Sequence, residues 1–90
     1  MKKVIITVVG EDTVGIIAEV SRVCATRNVN ILEITQSVLS EYFAMIMVTE
    51  ISSLSVDFNA FAEELKILGE SKGLDIHTMH EDIFNSMHHI

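Results

Sequence analysis

The segment Val4–Val9 constrains the fold more than any other segment, because all six of its residues are β-branched. Such a run, without polar alternation, is typical of a strand that is buried on both faces. A second run, Tyr42–Thr49, is also apolar on both faces. The chain has only 90 residues, of which 49% are hydrophobic, so its interior is too small to hide all of this surface. We therefore expect part of it to meet another chain.

A helix is predicted soon after the first strand. Apolar residues recur at helical spacing from Ile16 through Val20 to Cys24. Asp12 or Thr13 is expected to cap the start of this helix, because short polar side chains accept hydrogen bonds from the first N–H groups. The first strand and this helix form the opening β-α unit of the chain.

Turn and cap residues divide the rest of the chain into further elements. These are a strand over Val29–Val38, a turn at Ser40–Glu41, a strand over Tyr42–Thr49, a helix capped by Asp57 or Ser55 and ended at Gly73, a strand over Leu74–His80 and a short amphipathic helix within 81–90. The short turn makes the second and third strands a hairpin.

The order β-α-β-β-α-β packs into one four-stranded antiparallel sheet with both helices on one face. This is an α+β sandwich of the ferredoxin-like type, with strand order 4-1-3-2. No linker-like stretch interrupts the sequence, so residues 1–90 are expected to form one domain. The second face of the sheet has no cover in this prediction. The tail residues Ile83, Phe84 and Met87 either cover the edge of the sheet in the same chain or clasp a partner.

The charge balance excludes several classes of partner. Thirteen Asp and Glu against six Lys and Arg give a net charge of −7, which repels nucleic acid and anionic membranes. No apolar segment is long enough to span a bilayer. The single cysteine, Cys24, cannot form an internal disulfide and fits a reducing compartment, so a cytoplasmic location is expected.

The segment Gly10–Gly15 has the glycine spacing of a phosphate-binding loop, but its chemistry does not fit. Ile16 stands where a lysine must neutralise phosphate, and Glu11 and Asp12 repel the phosphate anion. Acylphosphatases, which share this fold class, need an arginine in the first turn. No nucleophile motif is present either. We therefore predict no catalytic residues, no cofactor and no enzymatic activity.

The histidines do not have the spacing of a metal site. His77 and His80 are three residues apart on a predicted strand and face opposite sides of the sheet. His88 and His89 are adjacent on a predicted helix, about 100° apart. Cys24 lies on the apolar stripe of the first helix and is expected in the core. The sequence predicts no metal ligands.

The segments Asp12–Val20 and Asn28–Ile31 together resemble the signature of the ACT domain family. That signature has an Asp or Asn, a short turn, an apolar helix and an Asn-Ile pair that opens the second strand. The resemblance covers nearly the whole chain, because the element order also matches. The chain looks like small stand-alone ACT proteins of bacteria and archaea, and is more distantly similar to the glycine-cleavage repressor. It departs from the pattern at Val14, usually Pro, and at Gly10, which is His in some members.

The resemblance implies a regulatory module that binds a small ligand, usually an amino acid, at the first strand-to-helix turn near a domain interface. The matching positions are Asp12, Thr13, Val14, Gly15, Asn30 and Ile31. Helix N–H groups near Val14 and Gly15 suit a carboxylate. The Asp12 carboxylate or the Asn30 amide oxygen suits an ammonium group. Alternatively, Asp12 caps its own helix and Asn30 caps the strand turn, which leaves neither free for a ligand.

A homodimer or a higher oligomer is expected, assembled through an edge or a face of the sheet. The alternative function is a protein interaction module that docks on an enzyme or regulator without a small ligand. Binding of a ligand at a subunit interface would couple the ligand to assembly, because a ligand shifts an equilibrium by its differential affinity for the two states.

Overall fold

The structure, a computed structural model, describes residues 2–11, 14–39 and 41–87. These residues form four strands and three helices, in the order β1 Lys3–Glu11, α1 Ile16–Thr26, β2 Asn30–Leu39, β3 Tyr42–Glu50, α2 Phe58–Lys72, β4 Asp75–His80 and α3 Glu81–Met87. The predicted order of elements is confirmed, with strand ends that differ by one or two residues. Ser40 of the predicted turn and residues 88–90 of the tail lie outside the described residues.

The four strands form one antiparallel sheet in the order β2-β3-β1-β4, which confirms the predicted topology. β1 pairs with β3 from Lys3 opposite Glu50 to Glu11 opposite Tyr42. The two strands that are apolar on both faces therefore occupy the centre, and β2 and β4 form the edges. This placement follows from their composition, because central strands can be buried on both faces.

The core lies between the sheet and the helices α1 and α2. Val4, Ile6 and Val8 of β1 point into it and have no exposed surface. Phe61 and Leu65 of α2 are also fully buried there. Cys24 lies in the same cluster, as its position on the helix stripe predicted.

The other face of the sheet is covered in part by α3, which packs on β1 and β4. Ile5 pairs with Val48 and Met79, so its side chain points to this face, and it is only 3% exposed. The expectation that this face has no cover within the chain is therefore wrong near β1 and β4. Amphipathic spacing identified the tail helix, but it does not specify the face on which a helix packs.

The ends of α2 are formed as predicted. Asp57 is the N-cap, and its carboxylate accepts a hydrogen bond from the backbone N–H of Asn59 at 3.1 Å. Gly73 ends the helix with a φ of 72°, a left-handed conformation that favours glycine. The side chains of Lys72 and Glu19 form an ion pair at 3.0 Å, which joins the end of α2 to the first turn of α1.

β2 contains an irregularity close to its start. Its register against β3 shifts between Ile31 and Glu33, so Leu32 is an extra residue in the ladder. Ile31 pairs with Thr49 on the helix side, whereas Glu33 pairs with Val48 on the opposite side. Such a bulge is common on edge strands, where it increases the local twist.

Candidate functional site

The turn between β1 and α1 carries most of the residues that the sequence singled out. β1 ends at Glu11, and the described chain resumes at Val14, which is 96% exposed. Gly15 follows with a φ of 87°, and a Cβ added to it would meet nothing within 4 Å. Asp12 and Thr13 lie outside the described residues.

The start of α1 differs from the prediction. The N-cap position is occupied by Gly15, which makes no side-chain cap, so the expectation that Asp12 or Thr13 is the N-cap is wrong. The first helical bond runs from the N–H of Glu19 to the carbonyl of Gly15 at 3.0 Å. Helix geometry leaves the N–H groups of Ile16 and Ile17 without an acceptor inside the helix. These groups point toward the turn and carry the positive end of the helix dipole, which suits a carboxylate.

Charged side chains flank this helix end. Glu19 is in the first turn of α1 and is paired with Lys72, whose ammonium group lies 3.0 Å from its carboxylate. The pair brings a cation close to the start of α1 and offsets the negative charge of Glu19. An incoming carboxylate therefore meets a helix terminus whose first-turn acidic side chain is already paired with a cation.

Asn30 and Ile31 lie at the other end of the sheet. Asn30 pairs with Glu50, which pairs in turn with Lys3 at the start of β1, whereas the turn follows Glu11. The strand between these two ends is about 26 Å long at 3.3 Å per residue. A single chain therefore does not bring Asn30 next to Gly15, and Ile31 packs against the core. A site that contains both Asn30 and the turn requires a second chain.

Asn28 of the family signature has a structural role. Its φ of 62° is left-handed, a conformation that Asn tolerates better than most residues. The N–H of Val29 then donates to the carbonyl of Cys24 at 2.8 Å, which ends α1. Asn28 therefore serves to end the helix through its backbone conformation.

Gly10 is restricted by packing. A Cβ at this position would clash with the side chain of Leu74 at the start of β4. A histidine here, as in some members of the family that the sequence resembles, would have to displace Leu74, which is 4% exposed.

The structure contains a groove that sequence reasoning did not identify. It lies between α3 and the face of the sheet that α3 partly covers, with a volume of about 600 Å³. Its lining includes Thr7, His77, Met79 and Met87. Alternation along β1 and β4 could have placed these strand residues on one face, but the position of α3 depends on tertiary packing.

Within the described ranges, no three His, Cys, Asp or Glu side chains are grouped closely enough to hold a metal ion. His77 lines the groove, whereas the ring of His80 stacks on Phe58 at a centroid distance of 4.6 Å on the helix side. The two histidines thus face opposite sides, as predicted, while His88 and His89 lie outside the described residues. In the part of the chain that is described, no helix has the length and apolar character needed to cross a bilayer.

The fold defines a ferredoxin-like α+β domain in which the first helix begins directly after a glycine. The family model of the ACT domain matches residues 2–79. A UPF0237 protein of Methanocaldococcus jannaschii is 44% identical over 90 residues, which is the full length of both chains. The chain therefore belongs to the ACT domain family, as the sequence resemblance indicated. ACT domains are known as small-molecule regulatory modules.

Two solved structures support this assignment. An ACT domain protein from Streptococcus pneumoniae superimposes with a TM-score of 0.79 at 40% identity, over 92% of this chain and 93% of that one. A putative glycine cleavage system transcriptional repressor superimposes with a TM-score of 0.70 at 25% identity, over 88% of this chain. This chain matches only 45% of the repressor, so the shared part is one region of a longer protein.

Proposed function

We propose that this protein is a regulatory module that senses an amino acid at the turn between β1 and α1, at the interface of two subunits, and has no catalytic role. The observation that carries the proposal is the start of α1. Gly15 occupies its N-cap without a side chain, and a Cβ at this position would meet nothing within 4 Å. A ligand carboxylate can reach the first N–H groups of α1, where the helix dipole stabilises a negative charge.

The second half of the proposed site comes from another chain. β2 is an edge strand of ten residues, and its apolar side chains Ile34 and Val38 are 39% and 59% exposed. A long, apolar, unpaired edge is a template for pairing with another strand. Antiparallel pairing of two β2 strands about a two-fold axis places the start of one beside the end of the other.

This arrangement resolves the separation of the predicted site residues. Asn30, at the start of β2, comes to the end of the partner sheet that carries the turn after Glu11. The Asn30 amide oxygen of one chain then accepts from the ligand ammonium group, while the turn of the partner holds the carboxylate. Binding strengthens assembly, because the complete site exists only in the dimer.

Isothermal titration with a panel of amino acids tests the proposal. We expect heat from at least one amino acid and a sharp loss of affinity in the Gly15→Ala variant, because the added methyl group lies at the point of ligand approach. Asn30→Ala should also weaken binding. No heat from any amino acid at millimolar concentration would contradict the proposal.

Gly73→Ala is the matched control for Gly15→Ala. Both glycines have a positive φ and open space where a Cβ would lie, so an alanine at either position strains the backbone by about 1–2 kcal/mol. Only the substitution at Gly15 should change ligand affinity. Equal effects of the two variants on binding would show that strain, and not contact with the ligand, is the cause.

The oligomeric state distinguishes the alternative function. The exposed edge of β2 also suits an interaction module that docks on another protein without a small ligand. Light scattering coupled to size-exclusion chromatography should show a dimer that the bound amino acid stabilises. A dimer that binds no amino acid favours the interaction module, and a strict monomer contradicts the shared site.

A further inference from the structure

The groove beneath α3 is a concave apolar site on the face of the sheet that is remote from α1 and α2. Its volume of about 600 Å³ lies within the range of small-molecule sites in proteins, roughly 300–1,000 Å³. Val9 of the floor and Ile83 of the wall are 48% and 53% exposed. Apolar side chains left exposed in a concavity are a marker of ligand binding.

Two polar side chains lie next to each other on the floor of this groove. Thr7 of β1 is the direct register partner of His77 of β4, so both point into the groove. Among the described residues, neither side chain makes a hydrogen bond or an ion pair. A hydroxyl and an imidazole each offer a hydrogen to an acceptor. A pair of convergent donors within an apolar lining is the usual arrangement for orienting a small molecule.

The adjacent methionines add adaptability. Met79 lies on the floor and Met87, which is 65% exposed, on the wall. An unbranched thioether side chain fills irregular gaps and adjusts to ligands of different shape. Met79 is half-buried and Met87 is exposed, so both can be reached from the groove.

The dimensions of the groove favour a small molecule over a protein segment. α3 has seven residues and forms a wall about 10 Å long, at 1.5 Å per residue. A docked helix of average length, about three turns, would extend well beyond this wall. A second copy of the chain would have to insert a protruding apolar element into the concavity, whereas the β2 edge would meet a second copy through backbone hydrogen bonds in the plane of the sheet.

The charge around the groove favours an uncharged ligand. The chain has a net charge of −7. Asp75 pairs with Val9 and precedes His77 by two residues, so it is on the same face. Glu81 and Asp82, at the start of α3, line a separate pocket together with Lys2 and Lys3 and do not line this groove. A carboxylate head group would be repelled by Asp75, whereas a carbonyl oxygen accepts from Thr7 and His77 without that penalty.

We propose that this groove is a second binding site, distinct from the amino-acid site, for an uncharged apolar molecule with a carbonyl-type acceptor. The apolar body packs between α3 and the sheet, and the acceptor lies against Thr7 and His77. The site belongs to a single chain and does not depend on the proposed amino-acid function.

Fluorescence titration with Nile red, an uncharged apolar dye that carries a carbonyl group, tests the site. We expect saturable binding of one dye per chain. Ala44→Phe should weaken it by about tenfold or more, because Ala44 lines the groove and a larger side chain fills it. Ala60→Phe is the matched control, since Ala60 lines a separate groove of about 490 Å³ on α2. Equal loss in both variants, or loss only in Ala60→Phe, would overturn the proposal.

Competition with the dye separates the contribution of the ligand head group to binding from that of its apolar chain. Octanamide and octanoate have the same chain, and we expect octanamide to displace the dye more strongly. His77→Leu should weaken octanamide by roughly three- to tenfold, the worth of one hydrogen bond. Stronger displacement by octanoate, or no effect of His77→Leu, would refute the assigned ligand class.

The same titration tests whether a second copy of the chain fills the groove. If a second copy fills the groove, dye binding by the unmodified protein should fall as protein concentration rises and the mass increases. That result would overturn the small-molecule proposal. Dye binding that is independent of protein concentration, and unchanged by Gly15→Ala, supports a groove that is open and separate from the turn.

Discussion

Replacement of Gly69 by alanine separates the effect of helix propensity from that of tertiary packing. The two effects predict changes of opposite sign in the free energy of unfolding. Gly69 is inside α2, where alanine is ordinarily more favourable by about 1 kcal/mol. In this structure Gly69 is buried against the start of β4. A Cβ would lie 2.8 Å from the carbonyl oxygen of Leu74 and 2.8 Å from Cγ1 of Ile76.

The magnitude follows from these two contacts. The Leu74 carbonyl belongs to the backbone and cannot rotate away, and the N–H of Leu74 is held by the carbonyl of Gly69 at 2.8 Å. Overpacking of a filled site costs roughly 1–3 kcal/mol, and the upper part of that range applies when backbone must move. After subtraction of the propensity gain, we expect Gly69→Ala to destabilise the fold by about 2 kcal/mol. For a domain of this size the loss lowers Tm by roughly 8–16 °C.

Urea unfolding followed by circular dichroism measures this change. Ser71→Ala is the control, since Ser71 is exposed two residues further along α2 and its replacement should stay within about 0.5 kcal/mol. In an Ile76→Ala background, Gly69→Ala should be less costly, with a coupling of roughly 1 kcal/mol. An unchanged or increased stability of Gly69→Ala would refute the packing argument.

Two further predictions concern titratable groups. Hydrogen bonds from the Ser52 hydroxyl and backbone N–H lower the pKa of Glu50 from its ordinary 4.5, so the stability that they contribute is present above that value and is lost as the pH falls through the lowered pKa. The urea midpoint should depend less on pH across this acidic range in Glu50→Gln than in the unmodified protein, whereas Glu63→Gln should leave the pH dependence unchanged. The same pH dependence in Glu50→Gln as in the unmodified protein would contradict the assignment. Burial raises the pKa of the Cys24 thiol to about 11, so iodoacetamide should label it far more slowly in the folded protein than in urea. Equally fast labelling of both states would show that Cys24 is accessible.

The sequence predicted those parts of the fold that depend on local pattern. The β-branched run at Val4–Val9 marked a central strand, and Asp57 and Gly73 marked both ends of α2. Each of these signals acts through residues close in the chain, such as the hydrogen bond from Asn59 to the Asp57 cap. Their physical cause is local, so the sequence specifies them.

The start of α1 was predicted less well because two local rules competed. Asp12 and Thr13 are favourable cap residues, but Gly15 can adopt a φ of 87° that few other residues tolerate. The helix therefore begins at Ile16, after the glycine. The capping preference of a residue does not fix where a helix begins when a glycine further along the chain allows a sharper turn.

The distance between Asn30 and the turn could not be predicted from local patterns, because it depends on the topology of the sheet. The eleven residues of α1 carry the chain back along the sheet, so β2 begins at the end where β1 begins. The two parts of the family signature are close together in the sequence, but they lie at opposite ends of the sheet within one chain. The position of α3 was beyond local reasoning for a similar reason, because Ile83 and Met87 define an apolar stripe but not its partner.

The bulge at Leu32 has a consequence for changes in the length of β2. Before it, the odd-numbered Ile31 faces the helices, and after it the even-numbered Ile34 does. Deletion of Leu32 would join the two segments into an unbroken ladder in which each side chain keeps its face. Deletion of one residue further along the strand would instead turn polar positions such as Thr35 toward the core. Evolutionary loss of one residue at Leu32 is thus compatible with the fold, because the side chains that follow it keep their faces of the sheet.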